Sequence, residues 1–402
     1  MKWHLHNGDC VAFMATLPAE SVSSVVCDPP YGLGFMGKEF DKLGNGKAQQ
    51  AWHERWLTEA LRVLKPGGHL VAFGGQRTIH RLTCAAEDVG FEIRDTGSWL
   101  FYSGFPKSLD VSKAIDKAAR GCPQGGPDPL KSGRGTVPQR NGWGAVPDPG
   151  SGKALSGITL DYTVHIPATD AARQWAGWGT ALKPALEPFV VARKPLTGTV
   201  AETVLRYGTG ALNIDACRYR YGDRAWPGPD DGTNPGTVFA GDFGKNGIYG
   251  TGKAVACGGH DLGRWPANVY QCPKVSRAER EAGCEHLPAR SGAEAVDREE
   301  GSAGMKSARA GANAGASTVH NHHPTLKPIE LMAWLCRLVT QPGGVVLDPF
   351  AGSGSCGAAA LQGGFRYLGA ELDAEYVAIA EARIMHHAGL FGQRKATAGG
   401  VL

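Results

Sequence analysis

Near its end the chain passes from an apolar run, Val345-Val346-Leu347, through Asp348-Pro349-Phe350-Ala351-Gly352-Ser353-Gly354-Ser355 and into a small-residue stretch from Gly357 to Gln362. This order predicts a buried strand, a turn bent at two glycines, and a helix. Glycine permits the left-handed backbone and the close approach that such a turn needs. The helix that follows offers open N–H groups and a positive dipole end, which suit a carboxylate. Tyr367 to Leu372 predicts the next strand, and Ala374 to His386 a last helix. Few folds other than a layered α/β sheet accommodate this succession.

The first hundred residues alternate in the same way. Ser24-Val25-Val26-Cys27 predicts a strand running into a Pro-Pro turn. Trp52 to Leu64 has helical periodicity and ends at Lys65-Pro66-Gly67-Gly68. His69 to Phe73 predicts a buried strand, Thr78 to Val89 a helix, and Phe91 to Ile93 another strand. Further along, Pro188 to Arg193 reads as a core strand and Ile329 to Thr340 as a helix. Alternation of this kind predicts a parallel sheet. Between these parts, residues 121–160 are rich in Gly, Pro, Ser and Lys/Arg and predict a long mobile loop. Residues from about 197 to 320 are polar and glycine-rich, with Arg264 to Tyr270 as a short strand candidate and no helical period.

A chain of 402 residues with 42% hydrophobic content holds one large or two ordinary domains. No segment is apolar for long enough to span a membrane. The start, Met1 to Asp9, shows no signal-peptide core, so a cytoplasmic protein is expected. Ten cysteines then read as reduced thiols. Cys257, His260, Cys272, Cys284 and His286 do not form two clean ligand pairs, and no metal is expected. A net charge of +4 permits a nucleic-acid partner without demanding one.

Two motifs carry the chemistry. The glycine turn is not the G-x-G-x-x-G of dinucleotide enzymes, and it lacks the Lys-Ser/Thr of a P-loop. Glu371, near the end of the next predicted strand, lies where an acid grips ribose hydroxyls. S-adenosylmethionine fits this pattern better than a nicotinamide. The second motif is Asp28-Pro29-Pro30-Tyr31. An exocyclic amine on a base is a poor nucleophile because its lone pair is delocalised into the ring. Asp28 and the Pro29 carbonyl can accept its two hydrogens, with the backbone held stiff by Pro29 and Pro30. Tyr31 supplies a flat face for an extruded base. Methyl transfer then needs mainly orientation.

With these motifs the chain resembles the amino-methylating DNA methyltransferases of the permuted group called the β class. The resemblance covers most of residues 1–110, 177–196 and 320–390. It includes Asn7-Gly8-Asp9-Cys10, similar to the segment that contacts the cofactor adenine region, and His323-Pro324-Thr325-Leu326-Lys327-Pro328, similar to the motif that helps hold the methionine end. Phe350 matches the aromatic position that packs on the cofactor adenine. Ser355-Cys356 stands where the family usually has Thr-Thr. The resemblance implies cofactor contacts from Asp9, Cys10, His323, Thr325, Lys327, Asp348, Phe350, Gly352, Ser353, Gly354, Ser355, Glu371 and Asp373.

It also implies a fold: a doubly wound, mostly parallel Rossmann-like sheet, circularly permuted. Residues 1–196 and 320–390 would form the catalytic domain, 197–319 a target-recognition insertion, and 391–402 a flexible tail. Arg206, Arg218, Arg220 and Arg264 are candidate DNA contacts in the insertion. Lys107, Lys113, Lys117, Arg134 and Arg140 are an alternative set for clamping phosphates. His320, His322 and His323 are expected to pack rather than react.

The expected activity is site-specific transfer of a methyl group from S-adenosylmethionine to adenine N6 in double-stranded DNA. Asp28 favours adenine, since relatives acting on cytosine N4 more often carry Ser there. Cytosine N4 stays open, as does a DNA-binding homologue without activity. Members of the resembled family are often dimers, and a homodimer stays open; so does a restriction endonuclease partner.

Overall fold

The computed structural model describes residues 3–34, 39–104, 108–121, 166–220, 222–226, 237–239, 254–256, 262–291, 294 and 318–389. They separate into a larger unit, residues 1–103 and 185–402, and a smaller one, residues 104–184.

In the larger unit the elements run β1 (Trp3–Asn7), α1 (Cys10–Ala15), β2 (Val22–Cys27), α2 (Lys47–Val63), β3 (Leu64–Phe73), α3 (Ile79–Asp88) and β4 (Glu92–Leu100). In the smaller unit α4 (Val111–Ala119) and α5 (Asp170–Gln174) follow. The larger unit resumes with β5 (Leu186–Arg193), α6 (Val200–Tyr207), β6 (Thr237–Phe239), β7 (Ala254–Ala256), β8 (Val269–Gln271), α7 (Arg277–Glu281), β9 (Arg290–Ser291) and β10 (Thr318–Val319). It closes with α8 (Ile329–Val339), β11 (Val345–Asp348), α9 (Ser355–Gln362), β12 (Arg366–Glu371) and α10 (Ala374–Ala388).

One eight-stranded sheet carries the unit, in the order β1-β12-β11-β2-β3-β5-β4-β8. Every pairing is parallel except those of β5, which runs against both β3 and β4. The first and last strands of the chain lie side by side, with Trp3 opposite Tyr367 and Asn7 opposite Glu371. That adjacency is what a permuted sheet requires.

Alternate residues of the inner strands enter two separate cores, because side chains point to opposite faces of a sheet. Val26, Val71, Phe73 and Val346 pack with Leu331, Leu335 and Ala359 from α8 and α9. Val25, Cys27, Leu70, Ala72 and Leu347 pack with Met14, Trp56, Leu57 and Leu82 from α1, α2 and α3. Burial on both faces explains why these strands read as continuous apolar runs rather than as alternating ones.

The expected elements are found, with changes at their ends. The strand expected at Phe91 to Ile93 continues to Leu100, since Asp95, Thr96, Ser98 and Leu100 are all paired with β5. The expectation of no helical period in 197–320 is corrected by α6 and α7. Helix α6 begins with a capping box in which Thr199 accepts from the Glu202 amide and Glu202 accepts from the Thr199 amide, a Thr-x-x-Glu signal present in the sequence. The described part of 197–319 is also built onto the main sheet: β8 pairs with β4, and Tyr219 Oη donates to the Val269 carbonyl at 2.6 Å. Most of the loop expected at 121–160 lies outside the described residues, as does the tail at 391–402.

In the smaller unit, buried Asp116 accepts from the amides of Ala168 and Thr169 at 2.8 and 3.1 Å. Ser112 donates to the Ala172 carbonyl at 2.8 Å. These bonds hold α4 to α5.

Candidate active site

Strands β2 and β11 are parallel neighbours, with Val25 opposite Leu347. Asp28-Pro29-Pro30-Tyr31 and the glycine turn therefore leave the sheet at the same, carboxyl end. From β11 the sheet order goes outward to β12 and β1, and from β2 it goes the other way to β3. Such a switch of direction opens a crevice at the strand ends, which is where open α/β sheets bind ligands.

The turn after β2 is pinned from several sides. The Tyr31 carbonyl accepts from Gln49 Nε2 at 2.9 Å and from Thr78 Oγ1 at 2.8 Å. Buried Asp41 accepts from the amides of Gly32 and Leu33 at 2.7 and 3.0 Å. Pro29 is buried and Pro30 half-buried.

Around Asp28 stands a compact group of charges. Tyr31 Oη donates to Asp28 Oδ1 at 2.8 Å, and Lys327 Nζ donates to Asp28 Oδ2 at 2.5 Å. Glu187, at the start of β5, lies 3.1 Å from Tyr31 Oη and 3.2 Å from Lys327 Nζ. Lys327 was expected at the methionine end of a cofactor; the structure places its ammonium on Asp28. Burial raises the Asp28 pKa above its ordinary value, although Lys327 acts in the opposite sense. Burial works against the charge of Glu187 as well, but Lys327 and Lys274 outweigh it and hold that carboxyl below its usual range.

The glycine turn is braced from both sides. Gly352 and Gly354 have φ of +52° and +77°. A Cβ on Gly352 would lie 2.9 Å from His323 Nε2, and one on Gly354 would lie 2.8 Å from the Ala380 carbonyl oxygen. Glu371 accepts from the Gly352 amide at 2.8 Å and from the Asp373 amide at 3.0 Å. Its lone pairs are not exhausted by two donors. Burial raises its pKa. Asp348 is buried, accepts from the Phe350 amide at 3.1 Å, and has its pKa pushed up to about 8 by that burial. From α10, Arg383 Nη1 donates to the Ser353 carbonyl, the Ser353 hydroxyl and the Ser355 hydroxyl.

These residues fit an adenosyl cofactor with a methionine end. Helix α9 has Gly354 at its N-cap and no side-chain cap, so no capping side chain meets the first-turn N–H groups, which have no intrahelical acceptor. Glu371 ends β12 and Asp373 follows it, at the same end of the sheet. Phe350 is half-buried, with its ring 5.2 Å from that of Trp56 and 5.8 Å from that of Trp52.

The remaining expected residues take structural positions around this crevice. Asp9 caps α1 by accepting from the Ala12 amide at 2.9 Å, and Cys10 begins that helix with its thiol pushed up to about 12 by burial. His323 bonds the Thr325 carbonyl at 2.5 Å through Nδ1, and its ring meets Tyr376 edge-on at 4.5 Å. Burial lowers its pKa to about 3, so it is neutral. His320 bonds the Leu287 carbonyl and His322 lies against Glu375. Asp373 caps α10 through the Glu375 amide.

The four arginines do not form one group. Arg218 is held by Asp215 at 2.8 Å and by the Gly263 carbonyl, with its guanidinium over Trp265. Arg264 lies over Trp226, Arg206 over Tyr207, and Arg220 is exposed. Lys113 is exposed on α4, Lys117 lies on the same helix, and Lys107, Arg134 and Arg140 are outside the described residues. Among the described residues no three His, Cys, Asp or Glu side chains gather as a metal site, and no helix is long and apolar enough to cross a membrane.

Sequence reasoning missed Glu187 and Arg383. Glu187 precedes an apolar strand with nothing near it in sequence to tie it to Asp28. Arg383 interrupts the buried face of α10 between Ile379 and Ile384, and a cation in an apolar period was the signal that could have found it.

The sequence model of a DNA methylase family, the N6/N4 methyltransferases, matches residues 22–114 and 206–382. The chain belongs to this DNA methylase family. It is 48% identical over 87 residues to YubD of Escherichia coli, a match covering 22% of this chain and 38% of that protein. It is 24% identical over 247 residues to the type II methyltransferase M.HindIII of Haemophilus influenzae, covering 52% of this chain and 64% of that one. The chain thus spans less than two thirds of either curated relative. Among solved structures, the PvuII DNA methyltransferase, described as cytosine-N4-specific, aligns with 12% identity and a TM-score of 0.45 over 98% of this chain and 96% of that one.

Proposed function

We propose that this DNA methylase transfers a methyl group from S-adenosylmethionine to the exocyclic N6 of an adenine turned out of duplex DNA. The observation that carries the reading is the pairing of β2 with β11, which opens the Asp28 turn and the glycine turn into one crevice. When bound, the cofactor supplies an electrophilic methyl on its sulfonium. The uncapped start of α9 suits its carboxylate, and Glu371 suits its ribose hydroxyls. Asp28 accepts a hydrogen of the amine and the Pro29 carbonyl accepts the other, which draws the nitrogen lone pair out of conjugation. The neighbouring Tyr31 ring is the stacking face.

For this role Asp28 must be ionised. Burial opposes that form and Lys327 favours it, and Asp348, with its pKa near 8, adds little opposing charge at neutral pH. The insertion at 197–319 is the proposed reader of the DNA sequence. Among the four candidate arginines Arg220 and Arg206 are exposed, whereas Arg218 is already bound to Asp215. Asp28 supports adenine over cytosine on the family resemblance.

The test is transfer of labelled methyl from S-adenosylmethionine to unmethylated genomic DNA, with nucleoside analysis. N6-methyladenine in one short motif is expected. N4-methylcytosine would keep the mechanism and change the base, and no label in DNA would overturn the substrate.

A further inference from the structure

Asp28 is already engaged at both oxygens, by Tyr31 at Oδ1 and by Lys327 at Oδ2. Each oxygen keeps a second lone pair, so an amine recognised by Asp28 shares the carboxylate with these two donors, of which the ammonium draws most on its charge. Both have a second acceptor in reach, and it is the same atom. Glu187 Oε2 lies 3.1 Å from Tyr31 Oη and 3.2 Å from Lys327 Nζ. No large motion is needed to pass either donor from one acid to the other.

The surroundings favour such an exchange. The Lys327 side chain is only 6% exposed, and its ammonium lies 4.8 Å from the Phe73 ring centroid and 5.4 Å from that of Tyr31. These faces can hold the cation while its partner changes. The charged and titratable groups facing Asp28 are Lys327, Glu187 and Tyr31, with Asp348 from β11 and Cys27 from its own strand. Glu187 has Lys274 at 3.8 Å on its other oxygen. Glu187 is the firmer anion of the two and Asp28 the weaker.

We propose that Glu187 is a positioning residue for amine recognition: it takes Lys327 and Tyr31 from Asp28 as the base amine arrives. The inference rests on the proposed function, in which Asp28 accepts from an exocyclic amine. It adds that the resting Asp28 is partly engaged by its own lysine, and that Glu187 determines how much of its charge the amine meets.

The experiment compares wild type with Glu187→Gln and Glu187→Asp in single-turnover methyl transfer across pH, with cofactor affinity and circular dichroism as controls. In Glu187→Gln the ammonium has one anionic partner left, so it stays on Asp28. Turnover should fall about 10²-fold while the acid limb of the pH profile moves down by about one pH unit. Glu187→Asp, which keeps the charge, should lose less and leave the limb in place. In the Glu187→Gln background, adding Lys327→Met should raise turnover at high pH, because the competing donor is gone. Full turnover by Glu187→Gln, or a loss with an unmoved limb and no recovery in the double variant, would overturn the proposal while wild-type transfer upheld the function. Absence of transfer by wild type to any base amine would overturn the function and this inference with it.

Discussion

Arg383 Nη1 lies 2.6 Å from the Ser353 carbonyl oxygen, so a fully buried guanidinium on the last helix holds the glycine turn from beneath. The same nitrogen reaches the hydroxyls of Ser353 and Ser355 at 3.0 and 3.1 Å. Burial lowers the Arg383 pKa to about 10, which still leaves it charged at neutral pH. Replacing it with Met should cost about 1–3 kcal/mol of stability through unsatisfied buried acceptors and weaken cofactor binding. Urea melts and cofactor titration measure the two effects. An unchanged cofactor affinity would show that the brace serves folding alone.

Asp28→Ala should lower methyl transfer about 10²–10³-fold, the scale for losing one preorganised polar contact to the reacting group. Cofactor affinity should stay near wild type, since no bond from Asp28 reaches the glycine turn among the described residues. Near-wild-type turnover would remove Asp28 from the chemistry.

The acid limb of turnover follows from the Asp28 environment. Its pKa lies above the ordinary 3.8 because burial outweighs Lys327. The acceptor form is therefore lost on acidification earlier than for a solvated aspartate. Turnover should rise with pH through a limb above 3.8, and a profile flat down to that pH would contradict the assignment.

Asp348 has a consequence for stability. Its folded pKa is raised to about 8 from 3.8, so between these values the folded state holds a proton that the unfolded chain has released. Its contribution is fully present below the unfolded value and is lost as pH rises through the folded one. The cofactor-free protein should melt lower at pH 8 than at pH 5, and Asp348→Asn should remove part of that slope. The same slope in both proteins would rule Asp348 out as its source.

Gly354→Ala combines a φ of +77° with a Cβ 2.8 Å from the Ala380 carbonyl. The conformational cost alone is roughly 1–2 kcal/mol, and the clash presses the turn away from α10. A lower melting temperature together with weaker cofactor binding is expected. A variant as stable as wild type would mean that the turn can shift without loss.

The sequence by itself determined the layered α/β class, the inner strands β2, β3, β5, β11 and β12, and the two turns that carry the chemistry, while the edge strand β1 with its buried Trp3 and Leu5 was not read. These were legible because each is local: apolar runs of strand length, helical periods and Gly or Pro at fixed offsets depend on a few neighbouring residues. The capping box of α6 was equally local and was missed only because its surroundings are polar. Other features depend on residues far apart in the chain. Asp28 and Lys327 are separated by 299 positions, and Arg383 and Ser353 by 30. Only the tertiary structure placed Lys327 on Asp28, introduced Glu187 as their shared neighbour, and built β8 onto the edge of the main sheet. The physical reason is that strand order and burial decide which charges meet, and a buried charge takes whatever partner the fold brings to it.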